Sequence, residues 1–169
     1  TTAGAPLEAD RRHKFEGRRL VVRADASASL GLGHAMRCLA LAQGWIDAGG
    51  TAILVSQDPP QPIVTRWTTE GVTVMSPDEY RASAPPLADW MVVDGPHLTI
   101  DADPPGATLI LIVDDDGGRG RYTCDLLLNQ NPSADPALYT GKTEARLLLG
   151  PAYALLRRDI RAWRGWHRP

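Results

Sequence analysis

The chain has 169 residues, 43% of them hydrophobic and 22% charged, with a formal net charge of -2. That length predicts one domain with a sizeable core, and the near-neutral balance supplies no global field toward nucleic acid or an anionic membrane, so neither is an expected partner. Two cysteines, Cys38 and Cys124, with no CxxC pair exclude a dense disulfide framework and fit a reducing, cytoplasmic setting.

Residues 1–18, beginning TTAGAPLEAD, read as a flexible N-terminal extension without the apolar core of a signal peptide. They start without an initiator Met, as a processed product or a fragment does. Leu20–Arg23 predicts a strand, and RADASASLGLGHAMRC follows it. Ala35–Ala48 places Met36, Leu39, Ala40 and Ile46 at helical spacing, with Gly49-Gly50 as the stop. Ala52–Ser56 predicts a strand, Pro62–Glu70 a short helix stopped by Gly71, and Val72–Met75 a strand. Ser83–Pro86 and Asp101–Gly106 read as proline-rich loops. Trp90–Asp94, Leu109–Asp114, Asp125–Asn129 and Arg146–Leu149 are further apolar runs. No window reaches the roughly 18 consecutive apolar residues of a membrane span.

Several of these runs are apolar on consecutive positions, the pattern of strands covered on both faces. The expected fold is therefore α/β, a Rossmann-like doubly wound parallel sheet. In such sheets ligands bind outside the carboxyl ends of the strands. The polar residues that close the runs are Arg23, Asp25, Asp94, Asp114, Asp115, Asn129 and Asn131. Each could equally be a cap or turn former.

Gly31-x-Gly33 lacks the third glycine of a dinucleotide fingerprint, since Met36 stands there, and Gln57-Asp58 lies too late for the ribose acid. Gly141-Lys142-Thr143 lacks the first P-loop glycine, since Pro136 stands there. His34 carries more chemistry. Glycines let a ligand approach the backbone, and the helix start offers free N–H groups with partial positive charge. That field favours a neutral imidazole, which can take a proton from water beside a phosphate-bearing substrate. A histidine capping the helix or bonded to a loop carbonyl fits the same residues. Asp114-Asp115-Asp116 with His97 could hold a hard cation, but Gly117-Gly118 makes a turn the simpler account, and no metal is expected. The tail 157–169 is basic and carries Trp163 and Trp166; a packing segment or linker accounts for it better than a nucleic-acid footprint.

Taken together, RADASASLGLGHAMRCLALA, DWMVVD, IVDDDGGR, CDLLLNQN and LLLGPAYALLRRDI occur in one order over roughly Arg19 to Ile160. This set resembles the nucleotide-sugar hydrolases of pseudaminic acid biosynthesis, the UDP-2,4-diacetamido-2,4,6-trideoxy-β-L-altropyranose hydrolases, which are related to spore-coat polysaccharide proteins. The resemblance implies that residues 19–156 form the N-terminal half of a GT-B-like, glycosyltransferase-like fold. It implies hydrolysis without a metal or other cofactor, releasing UDP with inversion at the anomeric carbon. His34 matches the family's water-activating base. Arg23, Asp25, Gly31, Gly33, Arg37, Asp94, His97, Asn129 and Asn131 are the expected substrate-binding residues.

Two departures accompany the resemblance. Pro96 stands where the family places an active-site tyrosine, with His97 next to it. The family also continues into a second domain after GPAYALLRRDI, so the implied partners are a UDP-sugar and a complementary C-terminal domain that completes nucleotide binding. Two other functions remain open at this point: a glycosyltransferase-like half that binds an acceptor sugar, and a non-catalytic remnant or interaction domain.

Overall fold

A computed structural model describes residues 13–27, 30–98, 107–163, 165 and 166. Residues 1–12, the proline-rich loop over 101–106, and the tail arginines Arg164 and Arg168 lie outside the described residues.

Seven strands form one sheet: β1 (Arg19–Ala24), β2 (Thr51–Val55), β3 (Thr73–Met75), β4 (Ala88–Asp94), β5 (Ala107–Val113), β6 (Leu126–Asn129) and β7 (Arg146–Leu149). They lie in the order β3-β2-β1-β4-β5-β6-β7, and each pairing is parallel. This is the expected Rossmann-like doubly wound α/β fold. The chain builds outward from β1 to β3 and then returns to the other side of β1. Ala24 pairs with Asp94, so β1 and β4 end side by side where the order reverses.

The α-helices among the described residues are α1 (Gly33–Asp47), α2 (Gln61–Thr69), α3 (Pro77–Ala82) and a single turn, α4 (Arg158–Arg161); short 3-10 turns lie at Pro136–Tyr139 and Pro151–Tyr153. Side chains alternate across each strand. Leu20, Val22 and Ala24 point to the α1 and α2 side, where Leu39, Ala42 and Trp67 meet them. Val21 points to the opposite side, against Tyr80 of α3. Farther along that side, Met91, Val93, Ile112 and Leu127 pack on Tyr122 and Tyr139. The start of α1 has no side-chain cap, a loss of about 1 kcal/mol. Burying Leu39 alone gives back about 1.5–3 kcal/mol, so packing fixes this helix.

α3 was not among the elements expected from the sequence. Ser76 and Glu79 form a capping box: the Glu79 N–H donates to Ser76 Oγ at 3.2 Å, and the Ser76 N–H donates to Glu79 Oε2 at 2.7 Å. Pro77 begins the helix, where a missing N–H costs nothing.

The expectation of a flexible extension over 1–18 needs correction for residues 13–18. Phe15 stacks on Trp45 with ring centroids 4.1 Å apart, and its N–H donates to the Ala48 carbonyl at 2.8 Å. The Arg18 carbonyl accepts from the Thr51 N–H at 2.9 Å. After β7 the chain returns over the helices. The Arg158 N–H donates to Gln43 Oε1 at 2.8 Å, and its guanidinium pairs with Asp47 at 2.5 Å and with Glu70. Arg157 pairs with Asp159 at 3.2 Å. Much of the tail's described positive charge is thus met within the chain, while Trp163 and Trp166 stay exposed, edge to face at 6.3 Å. Among the described residues no helix is long and apolar enough to cross a membrane.

Candidate functional site

The polar residues gather at the carboxyl ends of β1 and β4. Their strands decide which side they face. Asp94 follows Val92 on the α1 side, and it is wholly buried. His34, Arg37 and Cys38 sit three and four residues apart on α1, hence on one helix face, above that carboxylate.

Asp94 is fully used as an acceptor. Arg37 Nε donates to its Oδ2 at 2.6 Å and Arg37 Nη2 to its Oδ1 at 2.7 Å. The Cys38 thiol donates to Oδ2 at 3.2 Å. His34 Nδ1 lies 2.8 Å from Oδ1. A carboxylate paired with a guanidinium only accepts, so we assign the proton to His34 Nδ1. Nε2 then carries the lone pair, and among the described residues it has no hydrogen-bond partner. Arg37 Nη2 also lies 3.3 Å from Nδ1, but its N–H groups already donate to Asp94 Oδ1 at 2.7 Å and Asp115 Oδ2 at 2.9 Å, so the shorter carboxylate contact sets the tautomer. His34 does not cap α1, since the capping position is Leu32.

Arg37 is forked between two carboxylates. Its Nη1 and Nη2 reach Asp115 at 2.6 and 2.9 Å. Burial works against its charge, but the hydrogen bonds to Asp94 and Asp115 outweigh that and push its pKa up. Arg37 in turn holds the Asp115 carboxyl below its ordinary value. Burial and the neighbouring Asp94 push the Cys38 thiol well up, so it stays protonated and acts as a donor.

A cleft of about 220 Å³ opens over this cluster. His34, Arg37, Asp94, Pro96, Asp115 and Arg119 are among the residues lining it. Pro96 therefore forms part of the cleft wall and gives it no hydroxyl or other donor.

A second cluster lies across the strand ends. Arg23 follows Val21 on the other side of the sheet. Its Nη1 pairs closely with Asp25 Oδ1, and its Nη2 reaches Oδ2 at 3.2 Å. The Gln57 N–H donates to Asp25 at 2.8 Å, and His97 Nε2 lies 2.9 Å from Asp25 Oδ2. Burial alone would raise the Asp25 pKa; the hydrogen bonds from Arg23, Gln57 and His97 outweigh it and hold it below the ordinary value. By the same argument as before, His97 carries its proton on Nε2. This contact takes His97 away from the Asp114–Asp116 turn. There Asp114 Oδ2 accepts from the Gly117 N–H at 2.7 Å and from the Tyr139 hydroxyl at 2.9 Å.

Asn129 and Asn131 act from behind. Asn129 is wholly buried, and its Nδ2 donates to the Asp115 carbonyl at 3.1 Å and to Tyr139 Oη at 2.8 Å. Asn131 Nδ2 reaches Asp115 Oδ1 at 3.1 Å. Both fix the loop that carries Asp115. Gly31 has φ of 79°, a value that favours glycine. Its N–H donates to the Ser27 carbonyl at 2.9 Å, which turns the chain into α1. Gly33 is the first helical residue.

Arg119, which sequence reasoning missed, lies in the turn after β5. Its Nη1 donates to the Leu98 carbonyl at 2.5 Å and its Nη2 to the Gly95 carbonyl, so it clasps both ends of the loop that carries Pro96 and His97. Its partners are backbone atoms far away in sequence, which no local pattern announces. Cys38 was also missed, although its spacing from His34 and Arg37 on the helix was a usable signal.

The arrangement offers a ring nitrogen unpaired among the described residues, His34 Nε2, at a cleft and beside a helix start with no carboxylate in its first turn. It suits proton removal from water or a hydroxyl next to an anionic ligand. No family model, no curated protein and no solved structure matches the chain.

Proposed function

We propose that the chain is the half of a nucleotide-sugar hydrolase that carries the base. The substrate is a UDP-linked diacetamido-trideoxy sugar of pseudaminic acid biosynthesis. His34 Nε2 takes a proton from water, the hydroxide oxygen bonds to the anomeric carbon, and the bond from that carbon to the diphosphate oxygen breaks. UDP leaves with the bonding pair, and attack opposite the leaving group inverts the centre.

The observation that carries this reading is the 2.8 Å contact between His34 Nδ1 and Asp94 Oδ1 at the point where the strand order reverses. It leaves the other ring nitrogen free to act as a base, in the place where such sheets bind ligands. The motif resemblance supports the same role. The cleft, at about 220 Å³, is smaller than the roughly 300–1,000 Å³ of sites that enclose drug-sized ligands. It suits a single sugar ring, with the nucleotide held by a complementary domain.

Product analysis by NMR tests the reading. With a complementary nucleotide-binding half supplied, the expected product is the free sugar with inverted anomeric configuration, plus UDP. Transfer to an added sugar alcohol in place of water would make the chain a glycosyltransferase half instead.

One observation favours an interaction domain as a second reading. Tyr153, Leu156, Ile160, Trp163 and Trp166 are exposed along the segment after β7. A chain that binds a protein partner through these residues, and binds neither UDP nor the UDP-sugar in calorimetry, fits that reading.

A further inference from the structure

The geometry points to His97 as a second substrate-reading group: its Nδ1 accepts a hydrogen bond from a neutral donor, a hydroxyl or amide N–H, on the part of the ligand that reaches past the cleft to the Arg23–Asp25 cluster. The inference rests on the nucleotide-sugar reading of the same site.

Three features place this nitrogen. Asp25 accepts from His97 Nε2 at 2.9 Å, which directs the lone pair to Nδ1. Asp25 is itself immobilised by the Arg23 fork and the Gln57 N–H, so it cannot turn away. Arg119 clasps the Gly95 and Leu98 carbonyls, which fixes the loop on either side of His97. The ring is thus held at both its backbone and its far nitrogen, yet 40% of its side chain stays open to solvent. An acceptor held this firmly at a ligand-binding edge favours binding, because little freedom is lost when the donor arrives.

The charge pattern selects the donor class. In the neutral ring one nitrogen donates and the other accepts, and Nε2–H is committed to Asp25. Nδ1 is therefore an acceptor, which favours N–H and O–H groups over phosphate oxygens. In a UDP-linked acetamido sugar such donors come from two sources: the ring's acetamido and hydroxyl groups, or the ribose and uracil. His34 and His97 then present opposite tautomers, one held by Asp94 and the other by Asp25, the first to take a proton and the second to read the ligand.

The test uses His97→Gln, whose amide keeps a donor for Asp25 but loses the acceptor at Nδ1. A purely structural role leaves this variant like the wild type. The expected result is a KM about tenfold higher with kcat within about threefold, the loss of one net hydrogen bond. A wild-type KM overturns the inference, as does a fall in kcat alone. Long-range 1H–15N spectra of the ligand-free chain should show His97 protonated on Nε2; protonation on Nδ1 overturns the inference without touching the hydrolase reading. If the wild type, with the complementary half supplied, does not turn over the sugar, the hydrolase reading falls, and dissociation constants decide about His97. About tenfold weaker binding of the full UDP-sugar by His97→Gln supports it, and equal affinity, or no binding by either protein, overturns it. A loss seen with UDP alone places the donor on the nucleotide; a loss seen only with the full substrate places it on the sugar.

Discussion

His34 Nδ1 lies 2.8 Å from Oδ1 of the wholly buried Asp94, a contact that joins the first turn of α1 to the end of β4. It fixes the ring's tautomer. Asp94→Asn keeps the shape but offers the ring an amide that can donate as well as accept, so the free nitrogen is no longer reliably Nε2. The expected result is a kcat lower by about 100- to 10,000-fold, measured by UDP release, with the far-ultraviolet circular dichroism unchanged.

Arg37 joins Asp94 to Asp115 through two forked pairs. A lysine keeps the charge but cannot span both carboxylates, and it leaves acceptors of a wholly buried group unmet. Arg37→Lys is expected to lower stability by about 2 kcal/mol, read as a shift of the urea midpoint at constant slope.

Asp25 has a native pKa held below its ordinary value of 3.8. The unfolded chain therefore takes up this proton at a higher pH than the native one. The stability from Asp25 is complete above the ordinary value and drains away as the pH falls toward the lowered native value. Asp115, lowered by Arg37, acts in the same direction. In urea titrations from pH 6 to pH 3, Asp25→Asn should lose stability with falling pH less steeply than the wild type.

Gly31 and Gly33 flank Leu32 but should respond oppositely to alanine. Neither added Cβ meets an atom within 4 Å, so backbone conformation decides. Gly31, at φ of 79°, should lose about 1 kcal/mol. Gly33, already helical, should gain about 0.5–1 kcal/mol. Thermal unfolding of the two single variants checks the signs.

The seven strands were legible because runs such as WMVVD and LILIV are apolar on consecutive positions, as strands buried on both faces must be. Their boundaries shifted by a residue or two. α3 went unread although Ser76-Pro77-Asp78-Glu79 spells its cap, because six residues carry too little periodicity. His34 and Asp94 are legible from the residues alone and Arg37 only through the family resemblance; the three meet. Arg23, Asp25 and His97 form a separate cluster, because strand alternation sends Arg23 and Asp94 to opposite sides of the sheet. Asn129 closes its strand as expected but is buried behind the Asp115 loop, a depth that residue type does not report.

The central claim is that His34 removes the proton from water. Single-turnover UDP release from the UDP-linked diacetamido sugar, by wild type and His34→Ala with the complementary half supplied, tests it most directly. The account predicts release by the wild type and a rate at least about 100-fold lower for His34→Ala, the low end of general-base contributions. Equal rates for the two proteins, or no release by the wild type, would contradict it.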